Sequence, residues 1–100
     1  MSTPDRSGPL AGLRVVEFGH IMAGPTCGRM LADMGADVIK VEQVTGGDAT
    51  RHFRPPDLDG ESAAFMMLNR NKRGVALDLK AEEGLEVALR LVEGADVLIE

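Results

Sequence analysis

The sequence has 100 residues, 44% of them apolar and 27% charged, with a net charge of −5; this is enough for one small domain around a single core. Three phenylalanines without tyrosine or tryptophan give no stacking platform for single-stranded nucleic acid, and the acidic balance runs against binding a phosphate backbone, so no nucleic-acid partner is expected. The lone cysteine, Cys27, excludes an internal disulfide, no Cys/His spacing points to a metal, and no apolar run approaches the roughly 20 residues of a membrane span.

The opening stretch MSTPDRSGPLAG lacks the apolar centre and basic flank of a signal peptide, so a cytoplasmic protein is expected. Residues 1–9 read as a polar tail ahead of a domain covering 10–100. LRVVEF (13–18) is short, β-branched and bounded by Gly12 and Gly19, as a buried strand would be. A helix is predicted from Pro25, with Cys27, Met30, Leu31 and Met34 on its apolar face and Gly35 as its stop. DVIKVE (37–42) is a second strand, which completes a βαβ unit. Residues 43–60 read as loop, 61–69 as a short helix, RNKRG (70–74) as a basic turn and VALDL (75–79) as a strand. Residues 81–94 form the clearest helix, with Leu85, Leu89 and Val92 on one side beside Ala88 and Gly94 at its end, and ADVLIE (95–100) is a further strand. Met30, Met34, Met66 and Met67 read as core filling. The order predicts an α/β fold with a Rossmann-like, mostly parallel sheet of βαβ units. A buried strand with no covering helix after it reads as cut from a larger domain.

The segment EFGHIMAGPTCGRM (17–30) places a histidine, a proline and three glycines at a strand-to-helix turn, where free helix N–H groups favour an anion or a polar carbonyl. It is neither of the standard phosphate loops. Pro25 stands where the P-loop lysine would be, and Ile21 where the dinucleotide fingerprint needs its second glycine. One echo of that fingerprint survives in Glu42, about 20 residues beyond the glycine turn, where an acidic side chain often meets a ribose hydroxyl. On these residues alone, a ligand loop and a plain strand-to-helix turn remain alternatives.

The stretches PLAGLRVVEFGHIMAGPTCGRMLADMGADVIKVEQVTGGDATR (9–51) and LNRNKRGVALDLKAEEGLEVALRLVEGADVLIE (68–100) resemble the N-terminal part of the family III CoA-transferases. That group includes formyl-CoA and carnitine CoA-transferases and the related 2-methylacyl-CoA racemases. The resemblance implies a longer protein in which an aspartate beyond residue 100 attacks an acyl-CoA thioester and CoA passes to an acceptor carboxylic acid. An acid/base pair moving an α-proton, or a non-catalytic CoA- or nucleotide-binding module, are the alternatives. It also implies coenzyme A as substrate, no metal, an interlocked homodimer, and no catalytic turnover by these 100 residues alone.

Residue by residue, the resemblance places His20, Met22 and Ala23 in the loop that reaches the active site. Formyl-CoA transferases carry Gln at the position of Met22, whose thioether cannot supply that amide's hydrogen bond. Gln43 stands where the same type has an arginine on the CoA phosphates. Leu77, Asp78, Leu79 and Lys80 match the segment that holds the adenosine end of CoA; the density of positive charge at Arg70, Lys72 and Arg73 beside that segment points to a 3′-phosphate or pyrophosphate role for them. Each has a plainer alternative: Leu77 and Leu79 as core-strand positions, Lys80 as a solvated residue, His20 as a structural histidine, and 70–73 as an exposed basic turn. Arg51, His52 and Arg54 are left open between substrate, partner chain and solvent.

Overall fold

In a computed structural model, residues 7–100 are described. Four parallel strands, β1 (Arg14–Glu17), β2 (Asp37–Glu42), β5 (Arg73–Ala76) and β6 (Val97–Ile99), form one sheet in the order β5-β2-β1-β6. Helix α1 (Ala23–Asp33) joins β1 to β2, and α3 (Glu82–Glu93) joins β5 to β6. Between β2 and β5 the chain makes a 3₁₀ turn (Ala49–His52), a hairpin of β3 (Asp57–Leu58) and β4 (Glu61–Ser62), and helix α2 (Ala63–Asn69), which packs on α1. Chain order in the sheet runs outward from β1 through β2 to β5 and then restarts on β1's other side with β6. This is the Rossmann-like arrangement expected, with its switch point between β1 and β6.

Strands β1, β2 and β6 fall within the apolar runs that predict them, as strands covered on both faces do. Val15, Val16 and Val38 are fully buried, and Val15 and Val38 join Ala32, Ala36 and Ile99 in the core, with Leu10, Leu13, Leu31 and Val97 packed against it. Helix α1 stops as its glycine predicts. Gly35 takes φ +102°, the Gly35 N–H donates to Ala32 O and the Ala36 N–H to Leu31 O, a Schellman closure that satisfies two end carbonyls.

Several expectations fail, each for a local reason. Helix α1 begins at Ala23, two residues before Pro25, and buries Pro25, Gly28 and Ala32 in place of Cys27, Met30 and Met34. At Gly28 a fully buried carboxylate, Glu17, fills the space where a side chain would go. The methionines therefore do not fill the core: Met30, Met34, Met66 and Met67 are 54%, 39%, 40% and 69% exposed. In α3 only Ala88 is buried, while Leu85 and Leu89 are exposed. Strand β5 begins at Arg73 and ends at Ala76, since Asp78 turns the chain by accepting the Lys80 N–H at 3.0 Å. The 43–60 loop contains a hairpin turn at Asp59–Gly60, with φ of 51° and 85°, as a two-residue primed turn requires.

Candidate functional site

A cavity of about 560 Å³ opens at the carboxyl ends of β1, β2 and β5. Three chain segments line it: Phe18–His20 after β1, Lys40–Asp48 along the end of β2, and Leu77–Lys80 after β5. Strand direction explains the meeting, because parallel strands deliver all their following loops to one edge. His20, Gln43, Leu77, Asp78, Leu79 and Lys80 therefore come together although up to 60 residues separate them in sequence.

The remaining candidates lie elsewhere. Met22, 65% exposed, immediately precedes α1 and Ala23 is that helix's first residue; neither lines the cavity. Arg73 begins β5, at the end of the strand away from Leu77–Lys80, and its guanidinium donates to both Asp37 carboxylate oxygens at 3.0 and 2.8 Å. Arg70 is bound to Asp33 and Lys72 to Glu17, so all three cations of the basic turn are held by carboxylates of the chain itself. Arg51 holds Glu42 through two bonds of 2.9 and 2.8 Å and lies over the Phe65 ring. With the Asp48 N–H also on Glu42 Oε1, the acid that echoed a ribose ligand is already engaged. His52 meets Gly46 O and Arg54 donates to Gly60 O. Among the described residues, the Lys80 ammonium and the His20 ring stand at the cavity with no ion pair or hydrogen bond of their own.

Beneath the cavity lies a buried cluster that sequence reasoning did not single out. Glu17 of β1 and Lys40 of β2 are register partners in the sheet, and Lys40 Nζ stands 3.1 Å from Glu17 Oε2 and 2.8 Å from Asp48 Oδ2. Lys72, its side chain 2% exposed, approaches Glu17 Oε1 to 2.8 Å and donates to Pro25 O and Asn69 Oδ1. Glu17 Oε1 receives no well-directed hydrogen bond, so that contact is an ion pair only. Two carboxylates and two ammoniums balance, which is the condition under which charges persist in an interior. The signal was present: a glutamate and a lysine inside two apolar strand runs must point into a core, and each then needs a partner.

Electrostatics follow the geometry. Burial alone would raise the Asp48 carboxyl, but hydrogen bonds from Lys40, Thr50 and the Ile21 N–H bring it down to about 2. Glu42 resists burial in the same way and is held below the usual carboxylate range by Arg51 and the Asp48 N–H. Burial pushes the Lys72 ammonium down from its ordinary value, with Glu17 opposing. The network also fixes backbone. Lys40 Nζ donates to Gly19 O at 3.1 Å, and the Ile21 N–H donates to Asp48 Oδ1 at 3.1 Å. Ile21 adopts φ 69°, a left-handed conformation that a β-branched residue takes only under constraint.

The chain has clear relatives among known proteins. The chain is 52% identical over 103 residues to a succinate–glutarate CoA-transferase from Agrobacterium fabrum, covering 97% of the chain and 26% of that protein. It is 46% identical to a formyl-CoA:oxalate CoA-transferase from Escherichia coli O6:H1, covering 94% of the chain and 23% of that protein. A crystal structure of a CaiB/BaiF family protein from Brucella suis superposes with a TM-score of 0.85 at 49% identity over 91% of the chain. A hypothetical protein from Mycobacterium tuberculosis superposes at 0.82 with 42% identity over 96%. The chain thus spans about a quarter of the length of the relatives it matches. Fold, sequence and the profile that matches residues 10–100 agree, and the chain belongs to CoA-transferase family III.

Proposed function

We propose that the protein carrying this chain is an acyl-CoA:carboxylate CoA-transferase and that the cavity at the strand ends takes part of the CoA thioester. The observation that carries the reading is the convergence of the His20 loop, Gln43 and Leu77–Lys80 on one cavity in a chain of this family. The loops after β1 and β5 flank β2, about 10 Å apart at ordinary strand spacing. One molecule can therefore touch both. Leu77 and Leu79 offer apolar surface and Lys80 a free ammonium, which suits the adenosine and phosphate end of CoA. His20, in the loop after β1, stands at the thioester end.

The chemistry is an exchange of acyl partners at carboxylates. An aspartate outside these residues attacks the thioester carbonyl and expels CoA thiolate, which leaves a mixed anhydride. The thiolate attacks the aspartyl carbonyl, releases the donor acid and forms an enzyme-bound thioester. The acceptor carboxylate attacks this thioester and expels thiolate again, and the thiolate takes the acceptor's carbonyl to regenerate the aspartate. This chain's share is to bind and orient the thioester. Arg73, held by Asp37, has no part in it. Met22 supplies no amide for the reacting carboxylate, which argues against formyl-CoA:oxalate exchange as this protein's reaction.

The test uses the whole protein with a panel of acyl-CoAs and carboxylate acceptors, hydroxylamine or borohydride trapping the intermediate. The expected result is CoA transfer with one trapped aspartate, and none from the 100 residues alone. Exchange of the α-proton without transfer would make the protein a racemase. Binding of CoA without either reaction would leave only a binding module.

A further inference from the structure

We infer that the buried Lys40–Asp48 ion pair is a positioning clamp for His20. The two side chains are 2.8 Å apart, and each takes hold of the β1–α1 loop on a different side of that residue. Lys40 Nζ holds the carbonyl of Gly19 and Asp48 Oδ1 holds the amide of Ile21, so the peptide groups bracketing His20 are tied to one ion pair. The pair cannot drift. Lys40 is anchored to Glu17 in the sheet, and Asp48 Oδ1 also accepts the Thr50 N–H at 2.9 Å and its hydroxyl at 2.8 Å.

The backbone shows that the clamp acts against a restoring force. Ile21 sits at φ 69°, where its branched side chain is unfavourable, and it is 38% exposed, so packing does little to impose that conformation. Asp48 on its amide is what the structure offers in compensation. Close approach of the loop to α1, where a Cβ on Gly19 would stand 3.2 Å from Gly24 Cα, fixes the other flank. Asp48 and Lys40 thus act through the loop, and the inference rests on the reading of this cavity as the thioester site. His20 is presented by a pair of charges that also closes the core.

The test is made on the whole protein with Asp48→Ala, Asp48→Asn and the double variant Asp48→Ala/Ile21→Gly. Amide hydrogen exchange of peptides covering 18–24 is read beside the melting temperature and the steady-state constants for CoA transfer. Asp48→Ala should speed exchange in that segment about tenfold or more while other segments keep theirs. It should lower kcat about tenfold to a hundredfold with KM for the acyl-CoA within about twofold, as a misplaced catalytic loop does. Asp48→Asn keeps an oxygen for the Ile21 N–H and should recover part of both; it carries the test if Asp48→Ala does not fold. The double variant should also recover part of kcat, because glycine occupies φ 69° without strain. Unchanged exchange in 18–24, a loss of kcat that only follows the melting temperature, or no recovery with Ile21→Gly would each overturn the clamp. A wild-type protein without transfer activity would overturn the functional reading alone, since the exchange measurement still judges the clamp.

Discussion

Gly28→Ala is the sharpest probe of the buried charges. Gly28 lies on the buried face of α1, directly over the Glu17 carboxylate. A Cβ there would overlap Oε1 and stand 3.1 Å from Cδ and 3.2 Å from Lys72 Cε. Neither neighbour yields freely. Glu17 is fully buried between two ammoniums, and the Lys72 amine is committed to Pro25 O and Asn69 Oδ1. Overpacking a rigid interior costs about 1–3 kcal/mol. Pulling a carboxylate out of a buried pair moves the cost toward about 3–5 kcal/mol. Alanine in place of glycine in a helix returns only about 1 kcal/mol. The net expectation is a loss of about 2–4 kcal/mol, which should lower the urea midpoint of the whole protein, followed by helical circular dichroism, by about 0.5–1 M at the steep denaturant dependence of a large chain. Gly74→Ala is the control. Gly74 is in β5, its φ is unremarkable and a Cβ there meets nothing within 4 Å, so the variant should match or slightly exceed wild type. If Gly28→Ala is as stable as Gly74→Ala, the Glu17 carboxylate is not pinned beneath α1 and the ion-pair reasoning is wrong.

Three further outcomes follow from the same geometry. A carboxyl held at about 2 instead of its ordinary 3.8 contributes about 2 kcal/mol above pH 4 and loses it as pH falls through 2; the wild-type minus Asp48→Asn difference in unfolding free energy should therefore shrink across pH 4 to 2, and a flat difference would contradict the pairing. Lys40→Met leaves Glu17 and Asp48 buried with Lys72 alone and should cost about 3–5 kcal/mol, with Lys40→Met/Asp48→Asn recovering part of it in a double-mutant cycle. Lys80→Ala, at an exposed side chain without an intramolecular partner, should leave the melting temperature unchanged while raising KM for acyl-CoA about fivefold, the equivalent of an exposed ion pair of about 1 kcal/mol; equal binding by the variant would remove Lys80 from the CoA site.

Most of the fold was legible because its signals are local. Val15, Val16 and Val38 announce buried parallel strands, and Gly35 ends α1 through a conformation only glycine takes easily. The errors arose where tertiary contacts override pattern. Met30 and Met34 have helical spacing and apolar character, yet the inner face of α1 must accept Gly28 above a carboxylate, which turns the methionines outward. The 43–60 segment reads as loop from its glycines and prolines, although Asp59–Gly60 is a strong hairpin signal and Asp48 accepting the Thr50 N–H is a local cap. Of the cavity segments, the His20 loop is legible from its residues as one of two alternatives, while Gln43 and Leu77–Lys80 are legible only through family resemblance. Nothing in Leu77–Lys80 as a string of residues says that the strand stops at Ala76 and opens a pocket.

The buried cluster was legible in principle, by a rule that ties core to site. In a strand covered on both faces, every charged residue demands a partner at a position fixed by register. Glu17 opposite Lys40 and Arg14 opposite Asp37 meet that demand at the two ends of the β1–β2 pair. A slip of one residue would turn Lys40 to the sheet's other face and strand both Glu17 and Asp48. The same pairing that stabilises the register therefore decides where Lys40 Nζ emerges beneath the loop, and with it where Gly19 and Ile21 are held. The position of His20 is in this sense a consequence of strand register. A substitution that loosens Glu17, which does not itself line the cavity, should reach the loop through Lys40.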